Sequence, residues 1–92
     1  MTEIAVTCSE VGDDWACDVR LQDPDGSATS HRVEVSQPTL EQLAPGAARP
    51  DDLVRRSFQF LLSREPKESI LPTFELPAIG RYFPEYEREI RR

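Results

Sequence analysis

Cys8 and Cys17 are the residues of this chain whose types and spacing most invite chemistry. Gly12-Asp13 between them suits a two-residue type II′ hairpin turn. That turn sets Glu10 opposite Trp15, Cys8 opposite Cys17, Val6 opposite Val19 and Ile4 opposite Leu21. The cysteines then fall at a non-hydrogen-bonded pair, where facing side chains approach closest. A cross-strand disulfide is conceivable there, under strain, and its chemistry would be that of a redox switch. Cysteine is also a small hydrophobe that is often buried. The sequence favours this second reading: no positive group stands near either residue along the chain to lower a thiol pKa. His31 is the one histidine, and it approaches Cys17 if the second and third strands pair. Two cysteines and one histidine are too few for a closed zinc shell without a carboxylate, so no metal is expected.

Other reactive residues have ordinary structural explanations. Asp13-Asp14 lies in a turn and Asp51-Asp52 at a helix start, where acids complement the helix dipole. There is no nucleophile elbow, no phosphate-binding glycine loop and no His-Glu helix pair. The expectation is therefore no catalysis and no cofactor. Two surfaces remain. Arg49, Arg55, Arg56, Arg64 and Lys67 recur along one helical stretch, and Arg81, Arg88, Arg91 and Arg92 follow. On a single face they would contact phosphates, with Arg55 and Arg56 central. Interleaved Glu65, Glu68, Glu85, Glu87 and Glu89 offer helix pairs instead, such as Glu87 with Arg91, and favour solvated helix faces. Nucleic acid is thus the lesser partner class. The run Gly80-Arg81-Tyr82-Phe83-Pro84-Glu85-Tyr86-Glu87 holds three aromatics in five residues. Aromatic and arginine side chains are common interface anchors, which makes Arg81, Tyr82, Phe83 and Tyr86 the candidate interface. The competing reading is that they complete the chain's own core.

The elements that must position these residues are legible from pattern. Ile4, Val6 and Cys8 alternate with small or polar residues, and so do Trp15, Cys17, Val19 and Leu21, the period-two mark of half-buried strands. Asp23-Pro24-Asp25-Gly26 is a turn, and residues 29–35 form a third strand with His31, Val33 and Val35 in phase. A meander of three strands cannot bury its apolar face alone. Residues 39–44 suggest a short helical turn stopped by Pro45-Gly46. Residues 50–64 make the main helix, with Pro50 in its first turn and Pro66 stopping it. Leu53, Val54, Phe58, Leu61 and Leu62 form its apolar stripe. Beyond Pro66, prolines divide the chain into short helical turns near 67–71, 77–82 and 85–91. The predicted fold is α+β: a three-stranded antiparallel meander (1–36) packed on one main helix, with short C-terminal helical turns (37–92), as a single domain. The predicted core is Ile4, Val6, Cys8, Trp15, Cys17, Val19, Leu21, Val33, Val35, Leu53, Val54, Phe58, Leu61 and Leu62.

Composition narrows the class. The 92 residues are 38% hydrophobic and 30% charged, with a net charge of −6. No apolar run approaches the roughly 18 residues of a membrane span. A globally basic nucleic-acid binder and a disulfide-stapled mini-protein are excluded. Residues 1–48 carry nine acids and two bases, whereas 49–92 carry eight acids and nine bases. Such asymmetry suits a basic partner for the first half, or a solvated acidic sheet face. Met1-Thr2-Glu3 is acidic where a secretory signal is basic, so the expected compartment is the cytoplasm, with both cysteines reduced.

The stretch from Phe58 to Leu71 (FQFLLSREPKESIL), taken with Arg81 to Tyr86 (RYFPEY), resembles a family of small, uncharacterised bacterial proteins. The resemblance covers the C-terminal part only and implies no known activity. In layout, the meander followed by a helix is also similar to HicB-type antitoxins. Those proteins continue with a further strand, which the proline-broken stretch after Pro66 does not plainly offer, and with a DNA-binding extension that is not read in these residues. The functional expectation is a non-enzymatic cytoplasmic protein-interaction module, regulatory in role, binding a protein partner or a second copy. The alternative is an antitoxin-like or nucleic-acid-associated regulator. No membrane association is expected.

Overall fold

Gly12 adopts φ +62° while no non-glycine residue described has positive φ, the signature of a type II′ turn with glycine first. The structure, a computed structural model, describes residues 1–91. Strand β1 (Glu3–Val11) pairs antiparallel with β2 (Asp14–Gln22) in the predicted register, with Cys8 opposite Cys17 and Ile4 opposite Leu21. Register is pinned because a one-residue slip would turn the whole apolar set toward solvent. Strand β3 (Ala28–Val35) then pairs antiparallel with β2, Trp15 facing Val35 and Cys17 facing Val33. The connecting turn is held by Gly26 N–H donating to the Asp23 carbonyl at 2.9 Å, with Gly26 at φ +91°. The Asp25 carboxylate accepts from the Ser27 amide and hydroxyl, at 2.9 and 2.7 Å.

Helix α1 (Gln37–Leu43) begins two residues before the helical turn expected at 39–44. Its start is set by Ser36, whose Oγ accepts from the Thr39 amide at 3.2 Å, with Pro38 in the first turn. Helix α2 (Asp51–Leu62) has Pro50 as N-cap and Asp51 and Asp52 against its positive end. It buries the predicted Leu53, Val54, Phe58 and Leu61 against the sheet. It also buries Ser57 and Phe60, because a second set of elements covers its other flank.

Those elements carry the main correction to the expected fold. After a 3₁₀ turn at Lys67–Ser69, residues Thr73–Glu75 form β4, which pairs parallel with β3, Val33 facing Phe74. The sheet is therefore four-stranded and mixed, in the order β1-β2-β3-β4. Arg32 N–H donates to the Pro72 carbonyl at 2.7 Å and Leu76 N–H to the Glu34 carbonyl at 3.0 Å, extending the pairing at both ends. A strand of three residues between Pro72 and Pro77 is too short to show a period. It forms because β3 has an open edge once the helical connection has crossed the sheet. A further strand thus does follow the main helix.

Helices α3 (Ala78–Tyr82) and α4 (Tyr86–Ile90) close the chain against α2, α4 packing directly on it. Leu40, Leu43, Ile70, Leu76, Ile79, Tyr86 and Ile90 join the core beside the residues predicted for it. Ile4, Val6 and Leu62 are only half-buried, packed at its margin. For Ile4 and Val6 the reason is position: β1 is an edge strand with one neighbour. Among the described residues, no helix is long and apolar enough to cross a membrane.

Candidate functional site

One apolar depression opens between the end of α2, the 3₁₀ turn, β4 and α3. Its volume is about 310 Å³, and Leu61, Ile70, Leu71, Phe74, Ile79 and Phe83 supply its apolar wall. Pro66 produces it by ending α2 and sending the chain around the helix rather than along it. On α3, Ala78, Ile79 and Tyr82 line the groove, Tyr82 lying four positions from Ala78 and three from Ile79 on one helix face. Tyr82 is 69% exposed and Leu71 47% exposed, so both stand at the rim as uncovered apolar surface. Glu65 is the one charged residue of the lining. It is half-buried, and among the described residues its carboxylate has no hydrogen-bond or ion-pair partner.

The four aromatic-run residues are divided by the fold. Tyr82 and Phe83 line the groove, and Phe83 meets Phe60 edge-on with centroids 5.8 Å apart. Arg81 is exposed on α3 but does not line the groove. Tyr86 is not an interface residue: it is 1% exposed and packs on Phe60 at 5.3 Å. Its hydroxyl lies 2.6 Å from Ser57 Oγ. Ser57 donates its only proton to the Leu53 carbonyl at 2.7 Å, so Tyr86 donates to Ser57. Burial pushes the Tyr86 phenol up to about 12. A core short of apolar mass takes the ring that the sequence offered to a partner.

Five of the basic residues, Arg49, Arg55, Arg56, Arg64 and Lys67, are engaged by other groups of the fold. Arg55 donates to the Ile4 carbonyl, and Arg56 to the Ile90 carbonyl at 2.9 Å and to Asp52 at 3.2 Å. Arg49 donates to the Cys8 carbonyl at 3.0 Å and lies 4.9 Å above the Trp15 ring. Arg64 pairs with Glu85 and Glu89, at 3.2 and 2.9 Å, over the Phe60 ring. Lys67, 3% exposed, donates to Asp23 at 2.5 Å, Glu68 at 2.7 Å and Ser27 at 2.8 Å. Hydrogen bonds donated to Asp23 and Glu68 lift its ammonium to about 12, and donation from Lys67 and Thr2 holds the Asp23 carboxyl below its usual range. These cations act as ties between elements distant in sequence.

Two of them have a common task. In the β1–β2 register the even-numbered residues of β1 direct their backbone groups away from β2, toward the open edge. The Ile4 and Cys8 carbonyls are two of these, and the guanidiniums of Arg55 and Arg49 cover them. An uncovered edge strand is a template for unwanted pairing, and these contacts blunt it.

The cysteines are joined as a Cys8–Cys17 disulfide, correcting the expectation of two reduced thiols. Both sulfur-bearing residues are buried. The missing positive neighbour is Arg49, which folding brings to the Cys8 backbone from far along the chain. His31 faces Val19 and not Cys17. Its Nδ1 lies 2.8 Å from the Leu71 carbonyl, which only accepts, so Nδ1 carries a proton; Nε2 meets the Thr29 hydroxyl at 2.8 Å. The ring packs 5.5 Å from Phe58 as a satisfied core histidine. No protein-family model, curated protein or solved structure matches this chain.

Proposed function

We propose that this chain is a non-enzymatic protein-interaction module that docks a partner at the groove between α2 and α3, in a regulatory role; the Cys8–Cys17 disulfide weighs against the reducing cytoplasm expected from the sequence. The observation that carries this reading is Tyr82, an aromatic ring 69% exposed that lines an apolar groove together with the exposed Leu71. Exposed aromatics flanking a depression are the usual anchors of interfaces. Tyr82→Ala leaves the core untouched, because the ring lies outside it. Affinity purification of the tagged chain from its own host, followed by mass spectrometry, tests the proposal. A stoichiometric partner present with the unaltered chain and lost with Tyr82→Ala supports it. An identical set of captured proteins for both chains refutes it. Light scattering on the same pair of proteins reports self-association at this face.

The antitoxin-like or nucleic-acid-associated reading is the weaker proposal. Arg55 and Arg56, its central residues, already bond to the Ile4 and Ile90 carbonyls. Titration with duplex DNA at low salt tests it, and an absent shift at micromolar protein ends it.

A further inference from the structure

We infer that the partner seated in this groove is a basic segment of another protein, placing an apolar side chain between Leu71 and Tyr82 and a lysine or arginine against Glu65. The inference rests on the groove being the docking site. Its basis is the charge of the lining. Six apolar side chains form the wall, and Glu65 is its one ionisable acid or base apart from the Tyr82 phenol. The bases nearest Glu65 along the chain are already committed, Arg64 to Glu85 and Glu89, and Lys67 to Asp23 and Glu68. Arg81, on α3, lies outside the lining. Glu65 therefore lines the groove as a half-buried residue with no counter-charge among the described residues.

A partner that covers the groove removes more water from that carboxylate. Burying a charge unpaired is costly, so a wholly apolar or acidic occupant is disfavoured. A cation beside the apolar anchor converts the same burial into an ion pair. The net charge of −6, whose acid excess lies in residues 1–48, acts in the same direction only on the protein as a whole and at longer range. It draws a basic chain toward the surface and opposes a second copy carrying the same charge.

The test pans the full-length chain against a random peptide library and titrates enriched peptides by fluorescence anisotropy. Wild type, Glu65→Gln, Glu65→Arg and Tyr82→Ala are compared, each checked by thermal melt. The expected peptides combine an aliphatic or aromatic residue with lysine or arginine, and bind more weakly as salt rises. Glu65→Gln weakens them about fivefold or more, and Glu65→Arg shifts selection toward acidic peptides. Enriched peptides that are neutral or acidic, yet lost with Tyr82→Ala, overturn the basic partner and leave the groove reading standing. No enrichment, or enrichment indifferent to Tyr82→Ala, overturns both. A dimer in light scattering that Tyr82→Ala dissolves assigns the groove to a second copy and overturns the inference.

Discussion

Opening the Cys8–Cys17 bridge should cost this protein a large share of its stability. The bridge spans a sequence separation of 9, a short loop. Closing a loop of that size removes chain entropy from the unfolded state worth about 2.7 kcal/mol. The folded state changes little on reduction, since both residues are buried in the sheet's apolar face and a thiol there is a small hydrophobe. The register is independently held by the Gly12 turn and the apolar alternation. Nearly the whole effect therefore falls on the unfolded chain. For a domain near this size, each kcal/mol moves the midpoint by about 4–8 °C, so the oxidised form should melt about 10–20 °C above the reduced form. Calorimetry of one preparation with and without reductant measures this, with intact mass confirming two hydrogens gained. Urea unfolding adds a second readout: the reduced chain should show a larger m-value, because a freer unfolded state exposes more surface. Melting points within about 2 °C of each other, with the redox states verified, would refute the reasoning.

Other outcomes follow from the same structure. Tyr86→Phe should cost about 1 kcal/mol, the worth of the hydrogen bond to Ser57, whereas Tyr86→Ala should cost about 3–5 kcal/mol by leaving a cavity; urea midpoints distinguish them. Lys67 and Tyr86 both titrate near 12 in the fold, above their ordinary values of 10.5 and 10.0. Raised folded values mean that their stabilisation is complete below about pH 10 and lost as pH climbs toward 12, so the urea midpoint should fall across that window; a flat profile contradicts the assignment. Asp23 is shifted the other way, so its contribution is lost as pH drops below its ordinary value of 3.8, and Lys67→Met should weaken the acid limb and leave only the Tyr86 part of the alkaline one. Removing both Arg49 and Arg55 as alanines should uncover the β1 carbonyls and raise concentration-dependent aggregation, followed by light scattering; unchanged solubility would show that the edge needs no cover.

Elements whose evidence is local are legible in the order of residues. The hairpin register follows from Gly12, the only turn position there suited to positive φ, and from an apolar alternation that a slip would invert. Helix α2 announces itself by Pro50, two acids and a stripe of period 3.6. The site is half legible. Tyr82 and Phe83 stand out as aromatics near the chain's end, yet nothing in their spacing separates them from Tyr86, which the core takes. Glu65 gives no signal, being one acid among several in a charged stretch.

What the chain's own order of residues determined is the set of strands, turns and helices that short-range sterics and periodicity dictate. Tertiary packing alone decided which aromatic is core and which is rim. It alone made Arg49, Arg55, Arg64 and Lys67 ties, since each has a partner on an element far along the chain. It also made Thr73–Glu75 a strand, because three residues acquire that conformation from the open edge of β3 and not from their own preference. A contact between distant segments has no period and no fixed spacing, so it leaves no trace in sequence until the fold brings the two ends together.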